Sequence, residues 1–116
     1  MKKLLITVLL FYISVIPAQS VERTGNDLLQ ECLEWKKMYE HGTSNPNVAY
    51  QAGECVAYIQ GIADSLYIQK RYCPGSSIYT QRTRAVIEYL ENNLDALDED
   101  KMQLTIAALV STFPCK

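Results

Sequence analysis

The sequence contains a single histidine, His41, and no Cys-x-x-Cys pair. Because structural zinc sites use closely spaced Cys and His ligands, the cysteines Cys32, Cys55, Cys73 and Cys115 would make a poor zinc site. Sequence repeats, low-complexity segments and the alternating pattern of β-strands are absent as well. We therefore expect no bound metal, no other cofactor and no β-sheet.

A long apolar run occurs once, at the start of the chain. The basic pair Lys2 and Lys3 precedes it, and it extends over residues 4–16. About 13 apolar residues are too few to span a bilayer, which takes roughly 20, so a membrane anchor is the less favoured alternative. A basic pair, a short apolar run and then small residues are typical of a cleaved secretory signal peptide. We assign this signal peptide to residues 1–20.

Cleavage is expected after either Ala18 or Ser20, and we assign residues 21–116 to one exported domain, of a length that suits a single compact unit. Loss of the two lysines of the signal peptide leaves nine of the 11 basic residues against 13 acidic ones. An acidic chain without clustered Lys or Arg is not expected to bind nucleic acid. We also expect no membrane contact after cleavage, and a location in the periplasm.

Four segments show helical periodicity, which predicts an all-α domain, a small four-helix bundle. The expected helices run from about Asp27 to Glu40, from about Val48 to Gln69, from a Ser76 or Ser77 cap to about Asn92, and from an Asp98 cap to Phe113. In the third and fourth of them, Ile78 and Met102 are expected to be part of the core.

In an oxidising compartment the even number of cysteines predicts two disulfides. A short loop makes the first two helices antiparallel, which places Cys32 opposite residues 55–58. The last two helices are antiparallel as well, so the end of the chain returns to Cys73. These placements favour the pairs Cys32–Cys55 and Cys73–Cys115, and the two crossed pairings remain open.

No set of catalytic residues is recognisable. His41 lies in a polar loop, and the acidic residues Glu54 and Asp64 have no partner base at a spacing typical of acid–base catalysis. We therefore expect no catalytic residues and no enzymatic activity.

Small residues recur at every fourth position of the second helix, at Gly53, Ala57 and Gly61, with Asp64 nearby. Because Gly in a helix interior is unfavourable by about 1 kcal/mol relative to Ala, a compensating close contact is expected. The favoured interpretation is packing against the third or fourth helix. The alternative is a contact surface for a second copy or a protein partner.

An acidic segment follows, with no Lys or Arg from Ala85 to Asp100. It contains Glu88, Glu91, Asp95, Asp98, Glu99 and Asp100. The simpler interpretation is a solvated face with a capped helix start. The alternative, carried by Glu88, Glu91 and Asp95, is docking to a basic partner.

Taken in order, several motifs resemble a known family. They are residues 25–29 (GNDLL) ahead of Cys32, residues 55–64 (CVAYIQGIAD), Cys73-Pro74 with Gln81 and residues 86–90 (VIEYL), and residues 107–110 (AALV) with 113–115 (FPC). The chain resembles the Rap/Tai family of immunity proteins of type VI secretion. The matching motif positions include Tyr58, Gly61, Asp64 and Gln81. A His-Pro that the family often shows near the end of the third helix is Asn92-Asn93-Leu94 here.

The resemblance implies a small, disulfide-bonded, helical periplasmic protein whose partner is a protein effector. Characterised members of the family bind and block peptidoglycan amidases, and dimers are known among them, so a homodimer is a further expectation. The function expected from the resemblance is therefore inhibition of an amidase by occlusion of its active-site cleft. The alternative is a general periplasmic helper such as an acid-stress chaperone, which is also small, helical and disulfide-bonded.

Overall fold

The structure, a computed structural model, describes residues 23–116. Along this part of the chain lie α1 (Gly25–His41), α2 (Pro46–Ile68), α3 (Tyr79–Glu91), a single 3-10 turn (Leu94–Ala96) and α4 (Lys101–Thr112). These residues form no β-strand, and the predicted four-helix, all-α fold is confirmed. The predicted signal peptide and its cleavage site lie outside the described residues.

A capping box starts α1. The Thr24 hydroxyl accepts a hydrogen bond from the Asp27 backbone N–H at 3.3 Å, and the Asp27 carboxylate accepts one from the Thr24 N–H at 2.9 Å. The hydrogen bonds from the Thr24 backbone and side chain lower the pKa of Asp27. From this fixed start, α1 buries Leu28, Cys32 and Trp35 along one face, as its periodicity predicts.

The first turn of α1 is also bound to the segment that leads into α4. Three backbone hydrogen bonds join them: Gly25 N to Glu99 O (3.0 Å), Asn26 N to Leu97 O (3.0 Å) and Lys101 N to Arg23 O (2.7 Å). Gly25 permits this approach, because a Cβ there would lie against Leu104 Cδ1 and 3.1 Å from Leu97 O. The N-terminal end of the described domain is thus packed directly against the segment that begins α4.

Asn45 and Pro46 begin α2. The Asn45 side chain accepts a hydrogen bond from the Asn47 N–H at 3.0 Å, and Pro46 occupies the first turn, where its missing N–H is tolerated. The predicted apolar stripe of α2 is buried at Ala52, Cys55, Ile59, Ala63 and Leu66. This stripe faces the other three helices and forms the centre of the core.

Both predicted disulfides are confirmed. Cys32–Cys55 joins α1 to α2 with a Cα–Cα distance of 5.1 Å, and both residues are fully buried. Cys73–Cys115 joins the loop before α3 to the end of the chain with a Cα–Cα distance of 5.0 Å, and both residues are exposed. The crossed pairings, left open by the sequence, are excluded.

The oxidised domain should therefore contain no titratable thiol. We expect the denatured, unreduced domain to give no reaction with a thiol reagent, and the reduced domain to give four reactive groups, since each cysteine is paired. The measurement is thiol titration in denaturant before and after reduction. Four thiols before reduction would reject the disulfide framework.

The caps of the last two helices differ from those predicted. Ser77 does not cap α3, which begins at Tyr79; its backbone carbonyl instead accepts a hydrogen bond from Arg82 Nη2 at 2.8 Å. Asp100, rather than Asp98, caps α4, because its carboxylate accepts hydrogen bonds from the first N–H groups of that helix at 2.8 and 3.4 Å. The 3-10 turn Leu94–Ala96 follows α3, and α4 begins at Lys101, two residues later than an Asp98 cap would place it.

The buried faces of α3 and α4 are also rotated from the predicted ones. Ile78 is 58% exposed and Met102 is 47% exposed, whereas Thr83 and Thr105 are fully buried. Each threonine hydroxyl donates to the backbone carbonyl four residues earlier, at 2.9 Å and 2.7 Å. Burial of a hydroxyl is acceptable when it is hydrogen-bonded, so threonine replaces the expected apolar side chains.

Candidate interaction surfaces

We first consider metal sites, membrane-spanning helices and the single histidine among the described residues. Within residues 23–116 no three or more His, Cys, Asp or Glu side chains are grouped so that they could hold a metal ion. None of the helices in that range combines the length and the apolar content needed to cross a bilayer. His41 is exposed at the end of α1, with Nε2 3.9 Å from the Glu40 carboxylate.

The small residues of α2 face solvent. Gly53, Ala57 and Gly61 are exposed, and a Cβ built on either glycine would meet nothing within 4 Å. The prediction that these residues pack against α3 or α4 is wrong, because the opposite, apolar stripe of α2 already makes those contacts. Their interpretation as a contact surface for a second copy or a partner stays a prediction.

The four positions of the family motif have separate environments. Tyr58 is half-buried, and the Lys101 ammonium lies 4.4 Å from the centroid of its ring, which links α2 to α4. The Gln81 side chain accepts a hydrogen bond from the Ile78 N–H at 2.9 Å and so fixes the start of α3. Gly61 and Asp64 are exposed on α2. Tyr58 and Gln81 thus have structural roles that the sequence did not reveal.

Two residues of the acidic segment line a groove between α1 and α3. Glu88 and Glu91 are exposed at its edge, and Ile87 contributes a buried apolar side chain. The groove has a volume of about 390 Å³, and its lining also includes the cationic side chains of Lys36 and Arg84. The groove therefore presents charges of both signs.

The other acidic residues are spread over the loop before α4. Asp95 and Glu99 are exposed there, and Asp98 accepts a hydrogen bond from the Asn26 side chain at 3.2 Å. Asp100 caps α4. The acidic side chains of the segment are exposed, as predicted, and two of them also form hydrogen bonds at the starts of α1 and α4.

A cleft at the junction of α2 and α3 was missed by the sequence reasoning. It has a volume of about 310 Å³ and is lined by Asp64, Tyr67, Tyr72, Pro74, Gly75 and Arg82. Tyr72 is 1% exposed and packs edge-to-face on Phe113 with ring centroids 5.5 Å apart. Burial raises the pKa of Tyr72. One feature of the sequence could have pointed to this region, because residues 65–87 include four basic residues and no acidic one.

Arg82 holds this cleft together. Its Nη1 donates to the Gln60 side chain on α2 at 3.2 Å, and its Nη2 donates to the Ser77 carbonyl at 2.8 Å. Its guanidinium also lies 6.0 Å from the centroid of the Tyr72 ring. One side chain of α3 therefore connects α2, the preceding loop and the core.

The family model of the Rap1a immunity proteins matches residues 24–115. The chain belongs to this family. The match begins at Thr24, which caps α1, and ends at Cys115 of the second disulfide, so it includes all four helices and both bridges. Rap1a immunity proteins are inhibitors, which confirms that this chain is an immunity protein and not an enzyme. No curated protein matches the chain.

Membership of the Rap1a immunity family also defines the kind of partner. An immunity protein binds a protein effector, so the functional residues are those that contact another protein. Of the surfaces described above, the small face of α2, the groove between α1 and α3 and the cleft at the α2–α3 junction are the three candidates.

Proposed function

We propose that this Rap1a immunity protein acts in the periplasm, where it binds a peptidoglycan amidase effector of type VI secretion and occludes its active-site cleft. The observation that carries the proposal is the family match over residues 24–115, which takes in every described helix. The resemblance of its motifs to amidase inhibitors of the Rap/Tai family supports the amidase as the target.

The two disulfides support the periplasm as the place of action. Disulfides persist in oxidising compartments and are rare in the cytosol, where thiols are kept reduced. The bacterial periplasm is oxidising, and the substrate of a peptidoglycan amidase lies there. An apolar run with the pattern of a signal peptide precedes the described domain. Location, target and disulfide content are therefore consistent with one another.

Inhibition of this kind needs a rigid, complementary surface rather than reactive groups. An inhibitor that is already held in its bound conformation loses little conformational entropy on binding, and this favours high affinity. The bundle meets the condition, because one bridge joins α1 to α2 in the core and the other fixes the loop before α3 to the end of the chain. The proposed mechanism is therefore steric occlusion, without covalent chemistry.

A binding and protection experiment tests the proposal. The mature domain, residues 21–116, is measured against a panel of purified type VI peptidoglycan amidases, which includes any amidase encoded beside its gene. We expect one amidase to bind with a Kd of about 100 nM or tighter, as for a specific interface of standard size. The same amidase, directed to the periplasm, should lyse cells unless the full-length chain is co-expressed.

The control is the chain without its first 20 residues, which should remain in the cytoplasm and fail to protect. Absence of binding to every amidase, together with suppression of aggregation of other proteins at low pH, would contradict the proposal. That result would favour the general periplasmic helper instead.

A further inference from the structure

The junction of α2 and α3 carries a concentration of exposed apolar side chains. We call residues 67–82 the corner. Four of its large hydrophobic residues are more than half exposed: Tyr67 (62%), Ile68 (80%), Ile78 (58%) and Tyr79 (53%). Tyr67 and Ile68 end α2, while Ile78 and Tyr79 begin α3, and Tyr67 lines the cleft with Arg82. Soluble proteins expose such groups of apolar side chains mainly where they bind a partner.

The corner is also the basic part of an acidic protein. Lys70 and Arg71 are exposed on its loop, and Arg82 lines its cleft. Residues 65–87 contain no carboxylate, and Asp64 is the acidic residue of the cleft lining. Tyrosine and arginine are the residue types most enriched in the energetic centres of protein interfaces. The corner therefore has the composition of such a centre, with a positive charge.

Covalent and hydrogen bonds hold the backbone of the corner in place. Cys73 is bridged to Cys115, and its N–H donates to the Phe113 carbonyl at 3.0 Å. A turn is closed by the hydrogen bond from Ser77 N–H to the Pro74 carbonyl at 3.0 Å, and Arg82 binds the Ser77 carbonyl. A loop that is ordered before binding loses little entropy on binding, which favours its use as a contact surface.

The other two candidate surfaces lack this combination. The groove between α1 and α3 contains the cationic side chains of Lys36 and Arg84 beside its carboxylates, so its net charge is small. The face of α2 between Gly53 and Gly61 offers small residues, which bury little area on contact. Large exposed anchors, a net positive charge and a fixed backbone occur together at the corner, where Lys70, Arg71 and Arg82 outnumber Asp64.

We infer that the corner is the main contact with the effector, and that it docks on a surface where carboxylates border an apolar pocket that receives Tyr67. The inference rests on the proposed function, because the partner is the amidase. The acidic residues then lie at the far end of α3, where they affect the rate of encounter more than the affinity.

The test uses the amidase that binds most tightly in the panel. We expect Tyr67→Ala to weaken binding at least about 30-fold, mainly through faster dissociation, because it removes the aromatic anchor. The matched control is Tyr50→Ala, which truncates an equally exposed tyrosine (68%) near the other end of α2. It should change the affinity less than about threefold, since peripheral contacts contribute little. Both substitutions are at exposed sites, and circular dichroism should show unchanged melting for both.

Charge variants test the sign of the partner surface. We expect Arg71→Glu to slow association about tenfold at low salt and to reduce its salt dependence, because an acidic partner would then be repelled. The combined change Glu88→Ala, Glu91→Ala and Asp95→Ala should alter association less than about threefold and leave dissociation unchanged. The measurement is surface plasmon resonance at low and high salt.

The outcomes separate the inference from the proposed function. If the unmodified protein binds an amidase and Tyr67→Ala binds it equally well, the inference is wrong and the proposed function stands. Faster dissociation in the acidic triple variant, but not in Tyr67→Ala, would move the contact to the groove between α1 and α3. A dimer that dissociates in Tyr67→Ala while the amidase affinity is unchanged would assign the corner to self-association and overturn the inference. If no amidase binds, both are overturned together.

Discussion

Replacing Cys32 and Cys55 together by alanine should lower the free energy of unfolding by about 4–5 kcal/mol, the largest loss expected for any bond in the domain. Loop-closure entropy for a separation of 23 residues contributes about 3.5 kcal/mol of this. The rest comes from the removal of two fully buried sulfur atoms, which leaves a cavity in the core. Urea unfolding followed by circular dichroism measures the effect.

The comparison is the double change Cys73→Ala and Cys115→Ala. Its loop is longer, with a separation of 42 residues, and chain entropy alone predicts a loss of about 4 kcal/mol. Both cysteines are exposed, however, and the bridge ends next to the last residue, so we expect a loss of only about 3 kcal/mol. A larger loss for this pair than for Cys32 and Cys55 would show that loop length, and not burial, determines the contribution of each bridge.

Two glycine-to-alanine changes should have effects of opposite sign. Gly25→Ala should destabilise the domain by about 2–3 kcal/mol, since the new methyl group would collide with Leu104 and approach the Leu97 carbonyl to 3.1 Å. Gly61→Ala should stabilise it by about 0.5–1 kcal/mol, because the methyl group enters open space in a helix interior. Thermal unfolding should show Tm falling by roughly 10 °C or more in the first case and rising by a few degrees in the second.

The concentration dependence of the Gly61 variant distinguishes a free face from an occupied one. If the small face of α2 is a dimer seam, Gly61→Ala would lower Tm and shift the protein from dimer to monomer in analytical ultracentrifugation. A rise in Tm at every protein concentration is the result expected for a face that no second copy covers.

The sequence predicted the helices and their pairing well where apolar residues alone form the buried face. Leu28, Cys32 and Trp35 on α1 and the apolar stripe on α2 are buried as predicted, and the antiparallel arrangement implied by the short loop favoured Cys32–Cys55, which the structure confirms. It failed where the buried face contains polar residues, as at Thr83 and Thr105. The sequence does not distinguish a buried threonine, whose hydroxyl donates a hydrogen bond to its own helix, from a threonine exposed to solvent. The periodicity of apolar residues therefore does not identify the buried ones.

The interaction surfaces were harder to predict, because they depend on which side of each helix is left uncovered. The glycine spacing on α2 was recognised, but its exposure was not, since a small face is equally compatible with tight packing and with solvent. Tyr67 and Arg82 are 15 residues apart in sequence and line the same cleft only because α3 folds back along α2. The local sequence around either residue therefore does not predict that the two lie at the same cleft.

The order of the two disulfides along the chain has a consequence for biogenesis. Each bridge joins two consecutive cysteines of the chain, the first with the second and the third with the fourth. On the proposed route into the periplasm, an oxidase that pairs thiols in the order of their arrival during translocation would therefore produce the native bonds directly. Maturation should need a disulfide-forming enzyme but no disulfide isomerase, and the yield of native protein should be unchanged in cells that lack the isomerase.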